Sequence, residues 1–379
     1  MYFVHPQIKF NKKNLKSIFF SFFKNPENLE KKLSFYFPEK KFVFTDMGRS
    51  AFKLIVEKLN LQNSQILLPA YICDIFYPIF KKYNIQPIFL DVDLKTFNIK
   101  IEEIEKKITP NSKAILICHT YGLPNNMEDI FFFSKKYDLM VIEDCAHSFG
   151  AKYLRIYTGN LSDVAFFSLY KQFPTFRGGL LICPKDWKIS IPKTNFDFRD
   201  FISLLNSFSP FALFFKTFGQ DIAPKMIRKE KMLEPAGINL VSLNFFSNFL
   251  EDFEKNLKNR INLALFFQEK LKNLDFEIQE PKDNVFCYLS ALVPKRLIEK
   301  RDEILKKLRK HRIFCTRIWK EPIILNPEVQ KEYQINLREF PNTIEVAKRV
   351  INFPLQNYYE KKDIEMMIGS LKSVLSNSE

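Results

Sequence analysis

Residues 139–180 read LMVIEDCAHSFGAKYLRIYTGNLSDVAFFSLYKQFPTFRGGL. A short apolar run ends in two carboxylates, Glu143 and Asp144, and Cys145, His147 and Gly150 follow at once. A second apolar run, DVAFFSLY, leads to Lys171 and then to the pair Gly178–Gly179. Runs of this length, bounded by turn residues, read as strands buried on both faces. The ionisable side chains therefore gather where strands end, and open parallel sheets bind ligands outside the carboxyl ends of their strands.

The same texture extends upstream. QILLPA, IQPIFLDVD, KAILICHTYG and LMVIEDC read as strands, with DIFYPIFKKYN, NIKIEEIEKKIT and MEDIFFFSKKYD as helices between them. Alternation of this kind predicts βαβ units and a mainly parallel sheet flanked by helices. Six of the nine glycines (Gly48, Gly122, Gly150, Gly159, Gly178 and Gly179) fall in this part. A chain so sparing of glycine is expected to place it where the backbone approaches something closely or takes positive φ. Beyond Gly237 the pattern changes. LNFFSNFLEDFEKNLKNRINLALFFQEKLKNL reads as one long amphipathic helix, NVFCYLSALVP and IFCTRIW as strands, and KRDEILKKLRKHR and KKDIEMMIGSLKSVL as helices. The expected organisation is a large domain over residues 1–240 and a smaller C-terminal α/β domain over residues 241–379, with a Phe-rich block at 186–237.

Composition bounds the rest. The 379 residues are 46% hydrophobic, enough for a substantial core, and their length suits two domains. Lys and Arg number 58 against 43 acids, a net charge of +15 that suits an anionic partner: nucleic acid, a membrane surface or a phosphate-bearing substrate. The lysines are scattered over helical segments, which reads as solvated faces rather than a nucleic-acid stripe. Cys73, Cys118, Cys145, Cys183, Cys287 and Cys315 are far apart and form no C-x-x-C pair, so no metal site is expected and reduced thiols in a cytoplasmic protein are. The N-terminal residues lack the layout of a signal peptide, and no apolar run reaches the roughly 18 residues of a spanning helix.

Several residues carry possible chemistry. Asp144 reads either as a helix N-cap or as one of a surface pair with Glu143, or as the counter-ion of a cationic heteroatom. Lys171 is either a solvated loop lysine or an amine with a lowered pKa, ready to form a Schiff base. Ser168 could bind a phosphate, and DMGRSAF, with Gly48, Arg49 and Ser50, opens a helix whose N–H groups favour an anion. A phosphate cup, a carboxylate for a ring nitrogen and a lysine for an aldehyde are together what pyridoxal 5'-phosphate needs, the carboxylate keeping the ring an electron sink.

On these residues the sequence resembles the DegT/StrS-type sugar aminotransferases, pyridoxal-phosphate enzymes of fold type I, from about Phe42 to Leu375. MGRSAF is similar to their phosphate turn, and ILLPAYICD to the segment beneath the ring. QPIFLDVDLKTFNI, HTYGLPNNMEDI, RIFCTRIWKEP and VINFPLQNYYEKKDIEMMIGSL are similar to further family segments. VIEDCAHSFGAKY resembles the segment that would put Asp144 on the pyridine nitrogen and His147 near the ring oxygen. GNLSDVAFFSLYK resembles the segment that would put Ser168 at the phosphate and Lys171 on the aldehyde. Some positions depart from the pattern. Ser168 is closer to Lys171 than is usual, Arg49 replaces a Thr, and Arg177 replaces an acid. Cys73, or Tyr71 two residues earlier, stands where a ring-stacking aromatic is expected, and Asn239 is the candidate for a residue that reaches the partner subunit's site.

The resemblance implies an aspartate aminotransferase-like fold and a homodimer. The implied reaction moves an amino group from an amino acid, glutamate first, to a keto-sugar on a nucleotide, as in polysaccharide biosynthesis. A dehydratase of the family would carry His in place of Lys171. A non-catalytic cofactor-binding relative and a non-nucleotide acceptor are the alternatives. For residues 197–237 the expectation is a helical pair completing the dimer; a substrate lid using Lys225, Arg228, Lys229 and Lys231, or a membrane-docking helix, are the other readings.

Overall fold

The computed structural model describes residues 1–8, 16, 19–23, 26–218 and 234–376. Its elements run β1 (Tyr2–Phe3), α1 (Leu29–Tyr36), β2 (Lys41–Thr45), α2 (Gly48–Lys58), β3 (Gln65–Pro69), α3 (Tyr77–Lys82), β4 (Gln86–Leu90), α4 (Glu102–Lys107), β5 (Ser112–Cys118), α5 (Met127–Tyr137) and β6 (Met140–Asp144). A small hairpin, β7 (Lys152–Tyr153) and β8 (Ile156–Tyr157), leads to β9 (Val164–Ser168) and β10 (Gly179–Cys183).

These strands build a seven-stranded sheet in the order β2-β10-β9-β6-β5-β3-β4. From β9 to β4 all neighbours are parallel, and β10 and β2 close one edge antiparallel. The apolar runs are explained by burial on both faces. Ile66, Leu68, Leu116, Ile142 and Phe166 enter one core, while Leu67, Ile115, Ile117 and Val141 enter another on the opposite face. The register sets Asp144 beside Cys118 on one side and Phe166 on the other. The carboxylate thus stands at the carboxyl edge, between two neighbouring strand ends.

Gly179 ties this edge to α2. A Cβ there would lie 2.5 Å from the carbonyl oxygen of Met47, the residue that caps α2. Overpacking of this kind costs about 1–3 kcal/mol. Gly179→Ala is therefore expected to lower the melting temperature, as read by a thermal melt.

The chain continues through α6 (Phe198–Asn206), α7 (Ser209–Phe218), α8 (Leu240–Leu250), α9 (Phe253–Lys272), β11 (Glu277–Ile278), β12 (Leu289–Leu292), α10 (Arg301–Lys310), β13 (Ile313–Phe314), α11 (Pro327–Tyr333), α12 (Pro341–Arg349), β14 (Val350–Phe353) and α13 (Lys361–Ser376). A second, antiparallel sheet, β11-β12-β14, shares a core with α9, α10 and α13. The N-terminal strand belongs to this second body: β1 pairs with β13.

Two expected elements differ. The long helix is broken at Glu251–Asp252 into α8 and α9, and the break lets Phe253 join Phe149 and Phe173 with ring centroids 5.0 Å away in both cases. The strand expected over IFCTRIW is only Ile313–Phe314, after which the chain turns and Trp319 takes a left-handed φ of 57°. The Phe-rich block does begin as a helical pair, α6 and α7, and Lys225, Arg228, Lys229 and Lys231 lie outside the described residues. Among the described residues no helix is long and apolar enough to cross a membrane.

Candidate active site

At the carboxyl edge of the sheet lies a cavity of about 190 Å³. Gly48 and Arg49 from α2, Cys73 beyond β3, Asp144 and His147 beyond β6, and Ser168 and Lys171 beyond β9 line it. Tyr288, Ile318 and Trp319 line it from the C-terminal half, and His5 from the N-terminus.

Asp144 is buried, and its Oδ1 accepts the N–H of Ala146 at 2.9 Å. It is neither a helix cap nor a surface acid. Burial raises its pKa, and the charge of Lys171 offsets that only in part. A carboxylate held this way lacks a close cation, which is the environment a protonated ring nitrogen would complete.

Glu143, one residue away, has a different task. It points to the other face of β6 and accepts from His119 Nε2 (3.0 Å), the backbone N–H groups of Gly159 (2.8 Å), Leu161 (3.1 Å) and Ser162 (2.8 Å), and Ser162 Oγ (2.9 Å). Burial pushes its pKa up, but these donors outweigh it and leave the pKa lowered. Glu143 thus fixes the turn that launches β9, the strand that ends in Ser168 and leads to Lys171. His119, Glu143 and Cys145 are close enough to suggest a metal site, but the carboxylate is already saturated with donors.

Lys171 follows β9 on a single 3₁₀ turn, Leu169–Lys171, and is half-buried rather than a solvated loop residue. Burial pushes its ammonium down, but Tyr170 and Asp144 outweigh burial and leave it raised, opposite to the lowered amine that burial alone predicts. Nζ lies 3.0 Å from His147 Nε2. Burial, and then Lys171, hold the imidazole pKa well below its usual value, so the ring is neutral. A neutral imidazole offers one acceptor nitrogen, and two neighbours compete for it. The Tyr121 N–H reaches Nδ1 at 3.3 Å and the Lys171 amine reaches Nε2. With an ammonium at 171, Nε2 accepts. With a free amine, the ring proton sits on Nε2 and donates to Nζ, while Nδ1 accepts from Tyr121. The pair accommodates either protonation state of Lys171, as an amine that takes up and releases protons requires.

One end of the cavity is built by α2. This 11-residue helix has no acidic residue in its first turn, although the carboxylate of Asp46, just before it, lies beside its positive end. A Cβ on Gly48 would meet the Phe167 carbonyl oxygen at 3.2 Å, so glycine permits the close approach of helix to strand. Ser50 does not line the cavity; its hydroxyl donates to Asp46 at 2.6 Å. Tyr71 is also elsewhere, buried with its hydroxyl 2.6 Å from that of Tyr121. Between the two expected ring-side residues, Cys73 is the one on the cavity wall. Asn239 caps α8, accepting from Ser242 N and donating to Asp200 Oδ2, both at 2.9 Å.

Sequence reasoning did not single out Trp319, Tyr288 or His5. Trp319 packs on His147 with ring centroids 4.8 Å apart, and Lys171 Nζ lies 5.9 Å from its ring centroid. A bulky residue in the left-handed region persists only where its surroundings enforce it. The signal available in the sequence was slight: Trp319 is one of two tryptophans.

Comparison with known proteins decides the family. The profile of the DegT/DnrJ/EryC1/StrS aminotransferase family matches residues 7–191 and 244–372. The chain belongs to this family. It is accordingly a pyridoxal-phosphate-dependent aminotransferase of fold type I. It is 27% identical over 363 residues to dTDP-4-amino-4,6-dideoxy-D-glucose transaminase of Shigella dysenteriae, covering 92% of this chain and 89% of that one. It is 27% identical to GDP-perosamine synthase of Escherichia coli O157:H7 over 314 residues, 81% of this chain and 78% of the other. Among solved structures, Spr1654 of Streptococcus pneumoniae in its PLP form superposes with a TM-score of 0.78 at 16% identity, covering 100% of this chain and 99% of the other. The gap in the family match contains α6 and α7.

Proposed function

We propose that this aminotransferase moves an amino group from an amino acid, with glutamate as the expected donor, to a keto-sugar carried on a nucleoside diphosphate. The observation that carries the proposal is the convergence of Asp144, His147 and Lys171 on one cavity at the carboxyl edge of the sheet. The names of the dTDP- and GDP-sugar relatives support the substrate class.

The residues present fit the cofactor. The N-terminus of α2, with Gly48 and Arg49, and the hydroxyl of Ser168 would hold its phosphate; Asp144 would hold its ring nitrogen, and Lys171 its aldehyde. When bound, pyridoxal phosphate supplies an electron sink next to the reacting carbon. Asp144 keeps a negative charge at the end of the site where positive charge must be held. The Lys171 amine removes the proton from the donor's Cα and, in the second half of the reaction, returns a proton to the acceptor's carbon. His147 stays neutral and supports Nζ in both protonation states. Cys73 and Trp319 flank the same space and exclude water from it.

A homodimer is part of the proposal. Phe198 and Phe214 in α6 and α7, and Phe19 and Phe23 near the N-terminus, are well exposed, as a buried subunit contact would explain. The decisive experiment incubates the holoenzyme with glutamate and a set of nucleotide keto-sugars, with products read by mass spectrometry. An aminated nucleotide sugar is the expected product. Conversion of the cofactor by glutamate with no aminated sugar would leave an aminotransferase with a different acceptor. No conversion by any amino donor would point to a binding protein.

A further inference from the structure

A second cavity, of about 330 Å³, adjoins the first. His5, Met47 and Tyr170 line both, so the two share a wall at the residue next to Lys171. Its far side is formed by α6, with Arg199, Ser203 and Asn206, and by Thr175 and Arg177 from the turn before β10. The α6 residues lie in the gap of the family match.

The wall carries two arginines, one of them fixed in place. Arg177 Nε is bound to Asp200 Oδ1 at 2.7 Å, and Asp200 is anchored in turn by Asn239 Nδ2 at 2.9 Å and by a reciprocal capping box with Asp197 at the start of α6. Arg177 and Arg199 bring two guanidinium groups to the wall, with Asp200 bound to the first and Asp46 close enough to feel its charge. Guanidinium groups favour phosphate because their forked donors match its oxygens. The wall also contains an unmet polar group. Thr175 is 5% exposed, and its Oγ1 has no hydrogen-bond partner among the described residues. Buried hydroxyls are nearly always paired, so an unpaired one beside a cavity points to a missing partner.

We propose that this cavity is an anion subsite that holds the diphosphate of the acceptor, with Arg199 and Arg177 as its cationic groups and Thr175 as an added donor. The inference rests on the nucleotide-sugar reading above and deepens it. It places the acceptor's charged end over α6, with the keto-sugar directed past Tyr170 toward Lys171. A segment outside the family match would then set which acceptor this enzyme takes.

The test titrates inorganic pyrophosphate into the cofactor-loaded enzyme by calorimetry. The samples are wild type, Arg199→Gln, Thr175→Val and, as a distant control of equal charge loss, Lys310→Gln. Arg199 and Lys310 are both exposed, so neither change should disturb folding. Thr175→Val keeps the side-chain shape and removes the unmet hydroxyl, so its melting temperature should hold or rise. Wild type and Lys310→Gln should bind alike, Arg199→Gln roughly tenfold more weakly, as for one lost charge-assisted hydrogen bond, and Thr175→Val also more weakly. In turnover, Arg199→Gln should raise the acceptor KM and leave the glutamate half-reaction unchanged. Equal pyrophosphate affinity in wild type, Arg199→Gln and Thr175→Val overturns the subsite. So does a weakened glutamate half-reaction with an unmoved acceptor KM, which would assign the cavity to the donor's carboxylates. If wild type aminates no nucleotide sugar, the function proposed above fails separately, and the pyrophosphate titration still decides whether the cavity binds a diphosphate.

Discussion

Lys171→Ala is expected to abolish amino transfer while leaving the fold in place. Loss of a positioned general acid/base alone costs about 10²–10⁴-fold in rate, and the same change also removes the amine that would hold the cofactor's aldehyde. No second amine lines the described cavity: its other basic groups are Arg49, His5 and a neutral His147. The loss should therefore reach the detection limit. Two measurements separate this from misfolding. The melting temperature should change little, because Lys171 is only half-buried and its one direct polar partner is the imidazole. After borohydride reduction and denaturation, wild type should retain the cofactor as added mass on the peptide containing residue 171, and the variant should not. Turnover near wild type, or added mass on another lysine, would move the role away from Lys171.

Much of this arrangement is legible in the sequence. The two apolar runs in residues 139–180 are β6 and β9, and they are apolar throughout because both faces of the sheet are covered. Neighbouring parallel strands end side by side, so Asp144 and Lys171, 27 positions apart in the chain, had to approach each other. What stayed hidden depends on side-chain direction and on distant segments. A motif places Ser50 beside Gly48 and Arg49, but the helix turns its hydroxyl toward Asp46. Tyr71 and Cys73 looked interchangeable until the chain after β3 turned one into the core and the other into the cavity. Glu143 and Asp144 looked like a pair, yet alternation along a strand sends neighbouring side chains to opposite faces. Trp319 and His5 arrive from opposite ends of the chain, through the pairing of β1 with β13 and an irregular turn that follows no period.

Asp144→Asn should separate stability from catalysis. The unfolded carboxyl gives up its proton near pH ~3.9. In the folded protein burial raises that pKa, and the attraction of Lys171 is already included in the balance. An acid with a raised folded pKa favours the unfolded state once the pH passes the unfolded value, and the penalty is complete above the folded one. Asparagine carries no charge and escapes it. Stripped of cofactor, the variant should therefore melt at a higher temperature than wild type at neutral pH. The advantage should shrink as the pH falls and disappear below pH ~4, once the carboxyl is protonated in both states. Catalysis should move the other way. A neutral amide cannot keep a ring nitrogen protonated, and removal of one preorganised electrostatic group costs roughly 10²–10³-fold in rate. Cofactor affinity should also fall, because binding no longer relieves a buried charge. Thermal melts of the cofactor-free proteins across pH, beside single-turnover rates with glutamate, test both halves. Near-normal rates would take the ring-nitrogen role from Asp144, and Glu143 could not inherit it, since the loop over residues 159–162 and His119 already occupy its oxygens. A variant no more stable than wild type at neutral pH would mean that the carboxylate has a compensating partner in the free enzyme.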